Sequence, residues 1–309
     1  MRLFYANAAE LENPFDCCSN SFKSLKGMEV KKGKCSKLGF EVNGLLDRSF
    51  MLVNNEGDFM TQRQFPSLAL LAAQVEGKTL TISSPSGEKH HVEIKDSYSP
   101  NDTVIKCKVI GDGVEAVDCG DEAASFFQSY LNTSNIRLVR HSPTLPKRKY
   151  LRNNPFDDKL RKENPITFQD LAPFHVMSQS SVDDLDSRVE GQKITFLNFR
   201  PNILVEGSKA YAEDSWRYIK FNSGALLSNL TMVTRCLLTT NDPFTGVLSQ
   251  KEPLVTLRKY RIPKDPVIVK NIGSLPCLGI GCGLCKTGEI SVGDDVFADI
   301  GPQPEMIVK

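Results

Sequence analysis

Apolar and polar residues alternate with a period of two over much of this chain, the pattern of strands with one buried face. Residues 44–63 form two such runs around Asn54-Asn55-Glu56-Gly57, which predicts a hairpin with Gly57 at positive φ. Further strands are predicted at 68–75, 79–83 and 91–94, separated by Glu-Gly-Lys and Ser-Pro-Ser-Gly turns. A second hairpin joins 103–110 to 114–118 across Gly111-Asp112-Gly113. A helix over 121–132 places Phe126, Phe127, Tyr130 and Leu131 on one face. Nearer the N-terminus, a Lys23-Ser24 pair precedes a short strand, and Cys35, after a Lys-Gly-Lys turn, reads as solvated.

Residues 142–165 lose this periodicity and are rich in proline and basic residues, which predicts an interdomain linker. Two readings fit Lys147, Arg148, Lys149, Arg152, Lys159, Arg161 and Lys162: a solvated linker, or a docking strip for an acidic protein. The second half opens with a strand at 174–177 and a helix capped by Ser180 or Ser181. The apolar run 194–207 is broken at Arg200-Pro201-Asn202, where proline forces a bend that presents Arg200 and Asn202. A hairpin around Asn222-Ser223-Gly224 leads into an alternating strand that carries Cys236 and ends at Asn241-Asp242-Pro243. Alternation there puts Thr234 and Cys236 on one face and Arg235 on the other. Ser249 and Glu252 form a capping-box pattern, before a helix with Leu254, Leu257 and Tyr260 inward that stops ahead of Pro263. A last strand pair is expected at 288–290 and 296–297. The sum is a strand-rich α+β chain: a β-barrel-like domain at 15–141, a basic linker at 142–165, and a second β-barrel domain with a few helices at 166–302.

The 309 residues are 40% hydrophobic and 24% charged, an ordinary globular composition with room for a substantial core. A net charge of +1 gives no general field for nucleic acid. No apolar run is long enough to span a bilayer as a helix, and no secretory signal is visible at the N-terminus. Nine cysteines, an odd and scattered set, favour a reducing compartment over a disulfide framework. The four histidines form no zinc-binding array. Composition alone makes Cys236 a core cysteine, since free cysteine is among the most buried residue types; its place beside a polar turn suits ligation instead.

The segments FRPNILVEG, AYAEDSW and TRCLLTTNDPFTGVLSQKEPLVTLRKYR resemble the MOSC family, in its eukaryotic amidoxime-reducing branch. FKSLKG, LLDRSFMLVNNEGDFMTQR and FPSLALL resemble the β-barrel domain that precedes MOSC in that branch, so the resemblance spans roughly residues 21–300. It implies a molybdenum-molybdopterin cofactor and reduction of N-hydroxylated compounds. By position, Cys236 matches the thiolate that ligates molybdenum, a soft sulfur suited to that metal. Lys23, Ser24 and Arg48 match residues that hold the cofactor's phosphate end. Arg200, Asn202, Thr234, Arg235 and Asp170 match further contacts. Where the family has Tyr-Pro-Ile before the Lys-Ser pair, this chain has Asn20-Ser21-Phe22 preceded by Cys17-Cys18, so an altered opening strand is expected. The branch carries an anchor at the mitochondrial outer membrane, facing the cytosol. No such segment is visible here, which leaves a cytoplasmic location open.

The resemblance implies electrons from a b5-type cytochrome and its NADH-dependent flavin reductase; the sequence itself shows no Gly-x-Gly-x-x-Gly after a strand. The competing functions are a cofactor carrier related to the C-terminal part of cofactor sulfurases, and a cofactor-free binding module. Cys277, Cys282 and Cys285 have the spacing of plant-type iron–sulfur sites, and some bacterial relatives carry a fused ferredoxin domain. No cysteine follows to complete the set, and Gly279, Gly281 and Gly283 fit a tight loop beside a cleft equally well.

Overall fold

The computed structural model describes residues 17–148 and 163–308. Its largest sheet runs, in spatial order, Met28–Val30, Cys17–Ser19, Ile203–Val205, Phe174–Ser178, Cys277–Lys286, Leu226–Thr234, Trp216–Phe221 and Val296–Ile300. Neighbours are antiparallel except Ile203–Val205 and Phe174–Ser178, which run parallel. A second sheet pairs Gly288–Ser291 with Lys32–Ser36, followed by Gly39–Val42 and Leu45–Leu46. Strands from the first 46 residues therefore close the barrel built by the second half. The first half forms a five-stranded sheet (Val104–Val109, Asp112–Asp118, Arg137–Arg140, Phe50–Val53, Phe59–Met60) and a three-stranded one (Lys89–Glu93, Thr79–Ser83, Ala72–Glu76). The architecture is strand-rich α+β with two barrel-type modules.

The N-terminal segment passes between two hydrophobic cores. Phe22 stacks on Phe50 with ring centroids 5.0 Å apart, in the core of the first half with Leu52, Leu80 and Phe127. Cys35, Phe40 and Val42 pack instead with Phe174, Trp216 and Ile219 of the second half. Lys23 and Ser24 follow Phe22 at this crossover. Backbone bonds fix them: Phe50 donates to the Ser21 carbonyl at 3.0 Å, and Lys23 donates to the Phe50 carbonyl at 2.9 Å. The opening strand is thus present, paired with both Met28–Val30 and Ile203–Val205.

The predicted hairpins and the helix Asp121–Leu131 form as expected. Several local expectations are corrected. Cys35 is fully buried because Lys32–Ser36 is a strand whose alternate residues face the core, not a turn. Residues 66–70 wind into a 3-10 turn opened by Pro66, so the strand begins only at Ala72. The helix Gln179–Arg188 is capped by neither Ser180 nor Ser181, whose hydroxyls bond Ser208 and Glu213 instead. The run 194–207 divides into the 3-10 turn Phe196–Asn198 and the short strand Ile203–Val205. Ser249 and Glu252 form no reciprocal capping box: Ser249 Oγ donates to the Glu252 carbonyl, and the Glu252 carboxylate accepts from Thr256 N. The final two strands do not pair with each other; Val296–Ile300 joins Trp216–Phe221. In the basic stretch, Lys147 and Arg148 turn inward, with Lys147 donating to the Pro143 carbonyl at 2.6 Å and Arg148 to the Gln169 carbonyl at 2.6 Å. Lys149, Arg152, Lys159, Arg161 and Lys162 lie outside the described residues. No helix among the described residues is long and apolar enough to cross a membrane.

Phe40→Ala deletes a ring that the N-terminal segment contributes to the second core. It should cost about 3–5 kcal/mol, read by urea denaturation through Trp216, the only tryptophan and a member of the same core. A loss below about 1 kcal/mol would contradict the shared core.

Candidate active site

A cavity of about 410 Å³ is lined by residues of both halves, among them Lys23, Ser24, Arg48, Asp170, Arg200, Thr234, Arg235 and Cys236. Lys23 Nζ donates to the Phe168 carbonyl at 2.8 Å and to the Asp170 carboxylate, and lies 5.0 Å from the Phe59 ring centroid. Burial lowers this amine to about 8, against the raising effect of Asp170. Asp170 has the opposite balance: enclosure opposes its ionisation, yet Lys23, Arg48 and Arg148 outweigh it and hold its carboxyl below the usual range. Its side chain is nonetheless 63% exposed, because the cavity it lines is open to solvent. Ser24 is buried, and its Oγ has no hydrogen-bond partner among the described residues.

Arg48 and Arg200 both adopt left-handed backbone, with φ of 52° and 57°, an uncommon state for residues with a side chain. Arg48 pairs with Asp47 and donates from Nη2 to the Arg200 carbonyl at 3.1 Å. Arg200 reaches back to the carbonyls of Leu25 and Phe22, the latter at 2.9 Å, and so grips the segment that carries Lys23 and Ser24.

The third wall comes from the end of Leu226–Thr234. Cys236 is not in mid-strand: the strand stops at Thr234, and Cys236 is extended (φ −126°, ψ −177°) at the start of the 3-10 turn Leu237–Thr240. Bulges between Asn229 and Thr231 and between Met232 and Thr234 break the simple alternation. Arg235 and Cys236 therefore line one cavity, not opposite faces. Arg235 is buried, donating to the Leu278 carbonyl at 2.9 Å, the Phe199 carbonyl at 3.4 Å and His175 Nε2 at 2.6 Å. Burial lowers its guanidinium to about 9, still cationic at neutral pH. The Cys236 thiol is exposed, whereas burial pushes those of Cys35, Cys107, Cys119 and Cys277 up to about 12.

Asn202 does not line the cavity. It is 1% exposed, with its side-chain oxygen accepting from His175 N at 3.0 Å and its own N–H donating to the His175 carbonyl at 2.9 Å. The proline-broken run presents Arg200 while Asn202 clips the neighbouring strand. Cys277, Cys282 and Cys285 lie along one strand and not in a loop; Cys277 and Cys282 are buried in separate cores. Two lining residues escape the sequence reading. His175 is the imidazole behind Arg235, kept neutral by burial and by Arg235 and Arg48. Its only signal is Gly279, where an added Cβ would stand 2.8 Å from His175 Nε2. Arg63 is exposed beside Phe59, its guanidinium carbon 5.6 Å from the ring centroid; it follows the first hairpin directly in sequence.

Among the described residues, Lys23, Arg48, Arg63, Arg200 and Arg235 thus face the cavity against one lining carboxylate, Asp170. Such a surplus binds polyanions. One exposed thiol is an incomplete ligand set, so a metal held there brings ligands of its own.

An unfolded lysine titrates near 10.5 and Lys23 near 8, so between these values the unfolded chain holds more protons and stability rises with pH. Urea unfolding at about pH 7.5 and about pH 9.5 should show that rise, and Lys23→Met should lack it. An unchanged slope in the variant would contradict a buried cationic Lys23.

Residues 21–134 match the MOSC N-terminal beta barrel domain and residues 163–297 the MOSC domain. The human protein named mitochondrial amidoxime-reducing component 1 is 38% identical over 275 residues, which cover 89% of this chain and 79% of that protein. Bovine mitochondrial amidoxime reducing component 2 is 34% identical over 277 residues, covering 89% and 80%. Among solved structures, the YUAD protein from Bacillus subtilis aligns over 91% of each chain at 11% identity, with a TM-score of 0.39, too slight a likeness to inform the site. The chain belongs to the MOSC family, in the two-domain branch that includes the mitochondrial amidoxime-reducing components.

Proposed function

We propose that this protein is a molybdenum-cofactor-dependent reductase of N-hydroxylated compounds such as amidoximes and hydroxylamines. The observation that carries the reading is the convergence, in one cavity, of an exposed thiol, five cationic side chains and a buried hydroxyl without a partner among the described residues. A molybdopterin group asks for those features: a soft sulfur for the metal, and cations with a hydroxyl for the phosphate. The relatives' names, amidoxime-reducing components, support the same reading.

On this reading Cys236 is the protein's metal ligand, and Lys23, Ser24 and Arg48 hold the phosphate end. Arg200, Thr234 and Arg235 make further contacts, Asp170 orients Lys23, and Asn202 acts at one remove through the His175 backbone. A phosphate beside Lys23 raises its lowered pKa and keeps it charged. When bound, the group supplies the two-electron couple for the reaction, in which N–OH plus two electrons and two protons gives N–H and water. Phe199, Leu238 and Leu275 add apolar wall to the cavity of Cys236, suited to an aryl or alkyl body. Electrons arrive from a b5-type cytochrome and its NADH-dependent flavin reductase, and the site of action is the mitochondrion, on the cytosolic face of the outer membrane.

The purified protein should contain stoichiometric molybdenum. With cytochrome, flavin reductase and NADH it should consume benzamidoxime. Cys236→Ser should keep its melting temperature, since the side chain is exposed, and lose molybdenum together with at least about a hundredfold of turnover. Ser24→Ala should reduce cofactor retention by roughly tenfold without unfolding the chain. Molybdenum bound without turnover would make the protein a carrier, and absence of molybdenum from protein made in a cofactor-competent host would overturn both readings.

A further inference from the structure

A second cavity, of about 680 Å³, shares no lining residue with the first among the described residues. Trp216 and Tyr218, Met232, Ile268 of the helix Pro266–Ile272, and the strap 301–305 with Pro302 and Pro304 give it mostly apolar walls. Asp214 lines it as well, although its side chain is fully buried. One oxygen, Oδ2, accepts from Arg261 Nη2 at 2.7 Å and, weakly, from Gln303 Nε2 at 3.4 Å. The other, Oδ1, has no hydrogen bond among the described residues. A buried acceptor left so is destabilising until a donor reaches it. The adjacent Glu213 is also buried, its oxygens accepting from Ser178 N at 3.2 Å and Ser181 Oγ at 2.8 Å.

Charge decides what this cavity takes. Two neighbouring carboxylates stand against one guanidinium in ion-pair contact among the described residues, Arg261. Arg261 is otherwise occupied by the Cys277 carbonyl at 2.9 Å and the Tyr211 ring at 4.1 Å. Nearby Asp184 and Arg188 neutralise each other at 2.6 Å. At the rim, Lys264 pairs with Glu305 at 3.4 Å and Arg217 with Asp299 at 2.9 Å, while Asp265, which accepts from Val267 N at 2.7 Å, adds a further carboxylate to the lining. Burial raises both inner carboxyls above the usual range, the cost of holding negative charge there.

We propose that this cavity binds a small organic cation, an amidinium, guanidinium or ammonium on an apolar body. Its head displaces the weakly held Gln303 amide and donates to Asp214, while its body lies against Trp216, Tyr218 and Pro304. The volume is within the range of small-molecule sites. A neutral isostere satisfies the orphan oxygen but brings no positive charge to Asp214, so it binds more weakly.

Trp216, the only tryptophan of the chain, lines this cavity and not the other among the described residues, so its emission follows occupancy here. Titration with benzamidine should produce a saturable change in its fluorescence at millimolar concentration or below. Benzamide should bind roughly tenfold more weakly, as should benzamidine to Asp214→Asn, the effect of a lost charged hydrogen bond. No saturable change, equal affinity for benzamide, or unaltered affinity in Asp214→Asn would overturn the proposal. Should that variant fail to fold, Tyr218→Ala removes a wall residue that is 43% exposed and should weaken benzamidine several-fold; unchanged affinity would overturn it equally.

Discussion

Backbone carbonyl oxygens hold most of the cations that line the first cavity. Arg235 is bound by Leu278 and Phe199, Arg200 by Leu25 and Phe22, Arg48 by Arg200, and Lys23 by Phe168. A carbonyl satisfies an N–H donor without cancelling its charge. The guanidinium groups are therefore oriented and desolvated while their field survives. Removing one partner from a buried charge is costly, and carboxylates in place of these carbonyls would have neutralised the site. Asp47 and Asp170 fix Arg48 and Lys23 in place and leave the cations in the majority. The acceptors come from segments far apart in sequence, so the cavity's charge exists only when both halves of the chain are assembled.

The same requirement explains the backbone strain. Left-handed residues with side chains cost roughly 1–3 kcal/mol each and persist where their surroundings over-determine them. Asn20 does this for both arginines. Its carbonyl accepts from Arg48 N at 2.9 Å, its N–H donates to Asp47 Oδ1 at 2.6 Å, and its side chain donates to the Arg200 and Pro201 carbonyls at 3.4 and 3.3 Å. The segment Asn20-Ser21-Phe22 thus holds Lys23 and Ser24 against the cavity. Asn20 fastens the two turns together, and Phe22 anchors the first core.

What could be read from the sequence was local. The hairpins, the helix Asp121–Leu131 and the bend at Arg200-Pro201 depend on turn chemistry and periodicity within a few residues. Pairings between distant segments left no local mark. Nothing near Cys35 announces that Gly288–Ser291 will cover it, so a strand flanked by lysines read as a solvated turn. Alternation misassigned Arg235 because the strand ends at Thr234, so Arg235 and Cys236 no longer follow its period of two. Asn202 matched the pattern of cavity residues, yet its amide is spent on the His175 backbone. His175 itself was hidden, since one histidine in an apolar run looks like any core residue.

Cys277–Lys286 steadies an arginine on either side of it, and its glycines let it pack close to its neighbours. A Cβ at Gly279 would meet Met177 at 2.5 Å and His175 at 2.8 Å; one at Gly281 would meet Ala172 at 2.9 Å. Closeness at Gly279 lets His175 reach Arg235, and Gly281 itself lines the first cavity. The Cys277 and Leu278 carbonyls then serve opposite sides, Leu278 accepting from Arg235 and Cys277 from Arg261. Adjacent residues of one strand thereby steady an arginine that faces an anion-attracting cavity and an arginine that half-compensates a pair of buried carboxylates. Glu213 raises the pKa of Arg235 slightly against its burial, so the two regions are electrostatically linked as well as mechanically joined. A change in charge at either one is felt at the other through low-dielectric protein, where screening by salt is weak.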